Sequence, residues 1–208
     1  VGIAHLIYLF LELGFQMRKT ELRKSLLKTR QSLSVTDWKH KSQLICQNLL
    51  DSPQFNQAKT ILAYFSFRQE PDLSQLFTDS SHRWGFPRCV GQSLDWHIWA
   101  QKDTVITGAY GITQPPPDAP TIAPADVDLI LVPCVACDYQ GYRLGYGGGY
   151  YDRMLSSPEW ANKPTIGIVF EFGYLPEIPV DTWDQPLQSV CTEIATYTNS
   201  KFKIQNSK

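Results

Sequence analysis

The sequence predicts an α/β fold, a single three-layer α/β/α domain on a mainly parallel sheet, and three observations carry that expectation. Segments of strand character alternate with segments of helical periodicity, the order that βαβ units impose. The run Leu129, Ile130, Leu131, Val132 is apolar at every position. A strand with one wet face would alternate, so this one lies inside a sheet covered on both sides. With 208 residues, 43% of them hydrophobic and 19% charged, the chain has the size and make-up of one globular domain with a sizeable core.

Charge restricts the partners. A net charge of -1 and a pI near 6.5 give no general pull toward nucleic acid or an anionic membrane, so any anion site must be local. Five cysteines, at 46, 89, 134, 137 and 191, do not form a disulfide framework and fit a reducing cytoplasm. Cys134 and Cys137 have the spacing of a redox or zinc pair but no second pair beside them, and read as two small buried thiols at a strand end.

Taken in order, residues 1–15 are apolar apart from His5 and Glu12, with no Lys or Arg ahead of the run. That is unlike a signal peptide, and short for a membrane span. Residues 1–16 are expected to be an extension without function, 17–198 one domain, and 199–208 a polar tail that frays. Residues 17–32 contain no Gly or Pro and carry leucine at 22, 26 and 27, a helical repeat. On its wheel Lys19, Arg23 and Arg30 share a side with Leu26 and Leu33, while Lys24 and Lys28 point away. Cations along a packing side either meet an anionic partner or snorkel to water, and the spacing leaves both open.

Ser34, with Asp37 three residues on, starts a second helix whose apolar face is Trp38, Ile45 and Leu49. Residues 60–67 read as a strand. Glu70 and Asp72 follow its end, before a short helix, and Asp72 suits a cap. Residues 83–100 are β-rich and dense in aromatics; without a basic surface these read as core and pocket wall rather than as base-stacking platforms. Residues 110–117 form a proline-bound loop, and 115–126 a connector within the domain.

After the strand at 129–132, Pro133 cannot donate to a ladder and should end the pairing. Glycines then stand at 141, 145, 147, 148 and 149. Such clusters are commonly turns, and this one fits neither a P-loop nor a dinucleotide fingerprint. Yet it lets backbone N–H groups turn inward on an oxyanion, and residues 150–155 read as a helix whose N-terminus adds partial positive charge there. Arg143 before the glycines, with Asp152 and Arg153 after them, puts a phosphate-pairing guanidinium and an Mg²⁺-type carboxylate at the loop's two ends. Residues 165–170 give another strand. The histidines at 5, 40, 82 and 97 sit in no catalytic pattern.

From Asp138 through Gly141, Arg143, Leu144, Gly145, Tyr146, Gly147, Gly148, Gly149, Tyr150 and Tyr151 to Asp152 and Arg153, the chain resembles the signature of the 5-formyltetrahydrofolate cyclo-ligase family. The likeness extends from about Arg18 to Thr192. It implies a layered fold like that of ribose-phosphate isomerases and CoA transferases, and ATP-dependent cyclisation of 5-formyltetrahydrofolate, with or without a polyglutamate tail, to 5,10-methenyltetrahydrofolate. By this resemblance Lys19, Arg23, Arg143, Leu144, Gly145, Tyr146, Gly147, Gly148, Gly149, Tyr150 and Tyr151 bind ATP. Phe67, Glu70, Asp72, Tyr110 and Tyr150 contact the folate, and Asp152 with Asp184 holds Mg²⁺, Asp181 being close enough to be confused with the latter. Some relatives carry a basic residue where this chain has Tyr146. The expected protein is a cytoplasmic monomer with no nucleic-acid or membrane partner. Rival readings are a sugar-phosphate isomerase of the same fold, a non-catalytic folate- or nucleotide-binding regulator, and a structural protein.

Overall fold

The structure is a computed structural model and describes residues 18–199. The expected leading extension, and the tail beyond Asn199, lie outside the described residues. Three helices come first: α1 (Lys19–Gln31), α2 (Val35–Leu50) and α3 (Pro53–Gln57). Ser34 Oγ accepts the Asp37 amide at 3.0 Å and so caps α2, as the sequence signals. The strands are β1 (Thr60–Leu62), β2 (Arg83–Val90), β3 (Ser93–Ile98), β4 (Ile106–Thr107), β5 (Thr113–Gln114), β6 (Leu129–Pro133), β7 (Ala136–Asp138) and β8 (Arg143–Leu144). Helix α4 (Tyr150–Ser156) follows, then β9 (Thr165–Ile168), β10 (Tyr174–Leu175), β11 (Ser189–Cys191) and β12 (Thr196–Thr198).

Seven strands form the main sheet in the order β12, β11, β9, β6, β1, β2, β3. The four pairings from β11 to β2 are parallel, and only the outer pairs β2/β3 and β11/β12 are antiparallel. The interior strand β6 alternates between two cores. Leu129 and Leu131 pack with Ile45, Leu49 and Phe55 from the α2 and α3 side, whereas Ile130 and Val132 pack with Met154 and Leu155 of α4. All four are fully buried, which is why the sequence shows no polar position here.

Two strands are shorter than expected. The predicted strand over 60–67 ends at Leu62. Arg83 N donates to Lys59 O at 2.7 Å, and two steps further along this parallel ladder the donor would be residue 87, a proline without an N–H. The chain therefore leaves the sheet after Ala63, whose amide makes a last bond to Gly85 O. Likewise β9 stops at Ile168 rather than residue 170. Pro133 is kept as the last residue of β6, in register with Ile168.

A smaller sheet, β10, β7, β8, carries the third core cluster: Leu22 and Leu26 of α1 against Val135, Ala136, Leu144, Leu175 and Ile178. Cys134 and Cys137 are buried free thiols, and His82 and His97 bond the backbone carbonyls of Ala58 and Ala119. Among the described residues no helix is long and apolar enough to cross a membrane.

The turn into β8 depends on Gly141, which has φ +87 and would bring a Cβ to 2.2 Å from Leu187 O. Gly141→Ala is expected to destabilise the chain by about 2–4 kcal/mol, measured by urea unfolding. Gly145→Ala, where a Cβ would meet nothing within 4 Å, is expected to stay within about 0.5 kcal/mol of the parent.

Candidate functional site

The apolar stripe of α1 lies on the small sheet, and this turns its cations toward the loop between β8 and α4. Lys19 and Arg23 are half-buried and Arg30 is buried, while Lys24 and Lys28 are exposed; Lys19 meets an anionic partner in Asp181 and Asp184, whereas Arg23 and Arg30 bond backbone carbonyls. Arg23 Nε donates to Gly145 O at 2.7 Å. Its guanidinium lies against Gly147, where an added Cβ would sit 3.6 Å from Arg23 Cζ. Gly147 (φ +99) and Gly149 (φ +67) are left-handed, so glycine is required for the path of the loop as well as for the approach of the arginine. Among the described residues, the amides of Gly147, Gly148 and Gly149 donate to no protein acceptor. Beside the loop an open trough of about 670 Å³ is lined in part by Arg23, Lys24, Lys28 and Arg68. In a chain of net charge -1, this is a local concentration of positive potential.

Two ion-pair groups brace the site. Lys19 Nζ bonds Asp181 Oδ2 at 2.7 Å and also Asp184 Oδ2. Burial pulls the Lys19 pKa down, but the bonds to Asp181 and Asp184 outweigh it and leave the ammonium above its ordinary value. Arg143 is buried, its Nη2 is 2.9 Å from Asp152 Oδ1, and its Nη1 donates to Gln185 O at 2.9 Å. Asp152 Oδ1 also accepts the Gln185 amide at 3.3 Å, which brings it to the chain segment of Asp184. Each carboxylate thus spends one oxygen on the protein. Asp152 Oδ2 and Asp184 Oδ1 accept nothing among the described residues; carboxylate oxygens are the donor type a small divalent cation takes, although the described residues contain no group of three or more His, Cys, Asp or Glu that could hold a metal ion.

Glu70 lies on the other side of the loop. The backbone just before it is strained: Arg68 and Gln69 are both left-handed, with φ 49 and 55. Arg30 Nε holds the Arg68 carbonyl at 3.1 Å, Gln69 Nε2 reaches Leu33 O at 3.2 Å, and Trp38 Nε1 reaches Glu70 O at 2.8 Å. The Glu70 carboxylate accepts the Phe67 amide at 3.0 Å and is buried. Burial pushes its pKa up to about 7, against the opposing pull of the Arg30 charge, the Phe67 amide and the Tyr146 hydroxyl. Tyr146 reaches across from the glycine loop, its hydroxyl bonded to Arg30 Nη2 and its ring 6.2 Å from the Phe67 ring.

The remaining expected residues are placed less centrally. Asp72 Oδ1 accepts the Ser74 amide at 3.0 Å, a local turn bond; Leu73, not Asp72, stands at the N-cap of the short helix Ser74–Thr78, so the expected cap is not formed. Leu144 is buried in the core and its carbonyl accepts the Val135 amide at 2.8 Å. Tyr151 stacks under Arg143, 5.7 Å from ring centre to Cζ. Tyr150 turns toward the β2–β3 hairpin, donating to Gly91 O at 3.2 Å, with Tyr110 and Cys89 beside it. Tyr110 is 74% exposed. The loop therefore joins Lys19, Arg23, Asp152, Asp184, Phe67, Glu70 and Tyr146, while Tyr110 and Tyr150 form a separate lip. Sequence reasoning set Arg30 on the packing side of the helix with Lys19 and Arg23 but gave it no ligand. Its seven-residue spacing from Arg23 was the available signal.

Comparison with known proteins matches the 5-formyltetrahydrofolate cyclo-ligase family model over residues 16–193. The 5-formyltetrahydrofolate cyclo-ligase of Haemophilus influenzae is 28% identical over 179 residues, covering 82% of this chain and 95% of the relative. That of Mycoplasma pneumoniae is 30% identical over 183 residues, covering 85% of this chain and 99% of the relative. Among solved structures, the 5,10-methenyltetrahydrofolate synthetase of Aquifex aeolicus superposes with a TM-score of 0.79 at 32% identity, covering 88% of this chain and 94% of the other.

Glu70 has a consequence for stability. Its folded-state pKa is raised from 4.5 to about 7, so the folded chain favours the protonated acid. That contribution is fully present below the ordinary carboxylate pKa and is lost as pH rises through about 7, reaching roughly 3 kcal/mol. Glu70→Gln is expected to melt several degrees above the parent near pH 8, with the gap closing by about pH 5. Equal melting temperatures at both pH values would contradict the buried, ionisable assignment.

Proposed function

Because the chain belongs to the 5-formyltetrahydrofolate cyclo-ligase family, we propose that it uses ATP and Mg²⁺ to cyclise 5-formyltetrahydrofolate to 5,10-methenyltetrahydrofolate, releasing ADP and phosphate. The observation that carries the nucleotide part is the Arg23 guanidinium bonded to Gly145 O and laid along Gly147. This sets a cation beside backbone amides that have no acceptor of their own.

A formamide oxygen is a poor leaving group and must be activated. The formyl oxygen attacks the γ-phosphorus and ADP departs. The neighbouring folate amine then attacks the activated carbon, gives up its proton, and expels phosphate as the new C–N bond completes the ring. Such a transfer needs in-line placement and neutralised charge rather than a protein nucleophile. The amides of Gly145, Gly147, Gly148 and Gly149, with Arg23 and Lys19, bind the triphosphate. Lys19 exchanges Asp184 for phosphate when the nucleotide enters. Arg143, sealed against Asp152 and Gln185 O, acts from beneath, fixing the carboxylate and the loop. Asp152 Oδ2 and Asp184 Oδ1 would hold the Mg²⁺, which when bound neutralises charge on the phosphates. Glu70 accepts pterin N–H groups and Phe67 packs on the ring, with Tyr110 and Tyr150 closing the far lip. Asp72, bonded to the Ser74 amide, supports the Glu70 turn from behind.

Five free cysteines support a reducing, cytoplasmic setting. We read residues 17–198 as one catalytic domain acting as a monomer, with the glutamate end of the substrate, polyglutamylated or not, left to the open basic trough.

Phosphate release from ATP is expected only when 5-formyltetrahydrofolate is present, in step with methenyl product absorbance, and chelation of divalent metal should abolish both. Release that ignores the folate would contradict coupling. Binding of both ligands without release would identify a regulator, and turnover of a sugar phosphate without nucleotide an isomerase.

A further inference from the structure

Arg30 is 3% exposed and belongs to neither ion-pair group described above. Nothing on its own helix explains why a cation is sealed there. Its guanidinium instead spans two parts of the site. Nε holds the carbonyl of Arg68 at 3.1 Å, in the left-handed turn that leads into Glu70. Nη2 holds the hydroxyl of Tyr146, from the glycine loop, and the charge sits 5.4 Å from the Tyr146 ring centre. The remaining nitrogen, Nη1, is buried with no acceptor among the described residues. A buried guanidinium with an unused donor is costly, and the carbonyl it holds stands two residues before Glu70, whose pKa its charge pulls down.

We propose that Arg30 is a positioning residue: bonded to the Arg68 carbonyl and to Tyr146, it clamps the turn that carries Glu70 and turns a cation toward that carboxylate at the folate pocket. This rests on the reading of Glu70 as the acceptor of pterin N–H groups. The groups that face Glu70 are Arg30 from α1, Tyr64 from the segment after β1, Tyr146 from the glycine loop and Tyr151 from α4. Arg30 is the only cation of the four. The three phenols stay neutral around physiological pH, since burial raises all of them. Removing Arg30 takes away the largest of the pulls that oppose desolvation of Glu70 and leaves only the Phe67 amide and the Tyr146 hydroxyl, so the carboxylate protonates at higher pH and stops accepting from the ligand. It also frees the Arg68–Gln69 turn from its clamp.

The test is the affinity for 5-formyltetrahydrofolate, measured by calorimetry without nucleotide from about pH 5.5 to 8.5. The parent should bind more weakly as pH falls through the Glu70 titration, and Glu70→Gln should lose that dependence. Arg30→Met should move the acid limb up by about one pH unit, weakening binding roughly tenfold where the parent is still ionised. Arg30→Lys, which keeps the charge but not the fork, should return the limb to its parental position. If Arg30→Met does not fold, Tyr146→Phe, which removes only the bridging hydroxyl, should shift the limb in the same direction. A uniform loss at every pH, or an unmoved limb in Arg30→Met while Glu70→Gln is flat, overturns the role of Arg30 alone. A Glu70→Gln variant that keeps the parental limb overturns the pocket reading and the inference together.

Discussion

The site depends on how α1 is seated. Leu22 and Leu26 bury against Val135, Ala136 and Leu144 of the small sheet, and this contact decides where the three cations on the same side of the helix arrive. Arg23 then donates to Gly145 O and cannot do so unless the glycine loop follows its left-handed course at Gly147 and Gly149. Sheet, helix and loop are mutually determined. The apolar burial, about 1.5–3 kcal/mol for each leucine, carries the energy, and the hydrogen bond carries the register.

The large sheet supplies rigidity where the chemistry needs it. The segments that follow β1 and β6 build the Glu70 turn and lead into the glycine loop, consistent with the rule that open α/β sheets bind ligands at the carboxyl ends of their strands. Around that end the chain accepts several local costs: two consecutive left-handed non-glycine residues, a buried Glu70 carboxylate with no ion pair among the described residues, and an arginine whose Nη1 has no acceptor among them. Each is unfavourable for folding alone, and all cluster within reach of Tyr146. Such a concentration is expected where strain and desolvation serve binding.

Much of this was legible in the sequence, and what was not has identifiable causes. The double-sided burial of residues 129–132 and the facing of Lys19, Arg23 and Arg30 follow from periodicity, which is local. The early end of β1 follows from Pro87 on a partner strand more than twenty residues away, so no pattern within 60–67 contains it. Arg143 read as a phosphate ligand from its place before the glycines, yet its guanidinium is sealed against Asp152 and Gln185 O, a pairing that only the return of the chain at 184–185 creates. Asp72 could be capping or binding by sequence, and its bond to the Ser74 amide is a turn bond one residue ahead of the cap position, which Leu73 takes. Tyr146 stood out as the odd residue in a glycine loop. Its partner Arg30, 116 residues earlier, emerges only when α1 is laid on the small sheet.

The most direct measurement of the central claim follows the loop itself as nucleotide is added. In a ¹⁵N-labelled chain titrated with Mg-ATP, the amides of Gly145, Gly147, Gly148 and Gly149 should shift together and saturate. In Arg23→Ala the same shifts should require at least about tenfold more nucleotide, on the order of 1.4 kcal/mol. Saturable shifts confined to other parts of the chain, or unchanged affinity without Arg23, would contradict a triphosphate gripped jointly by α1 and the glycine loop.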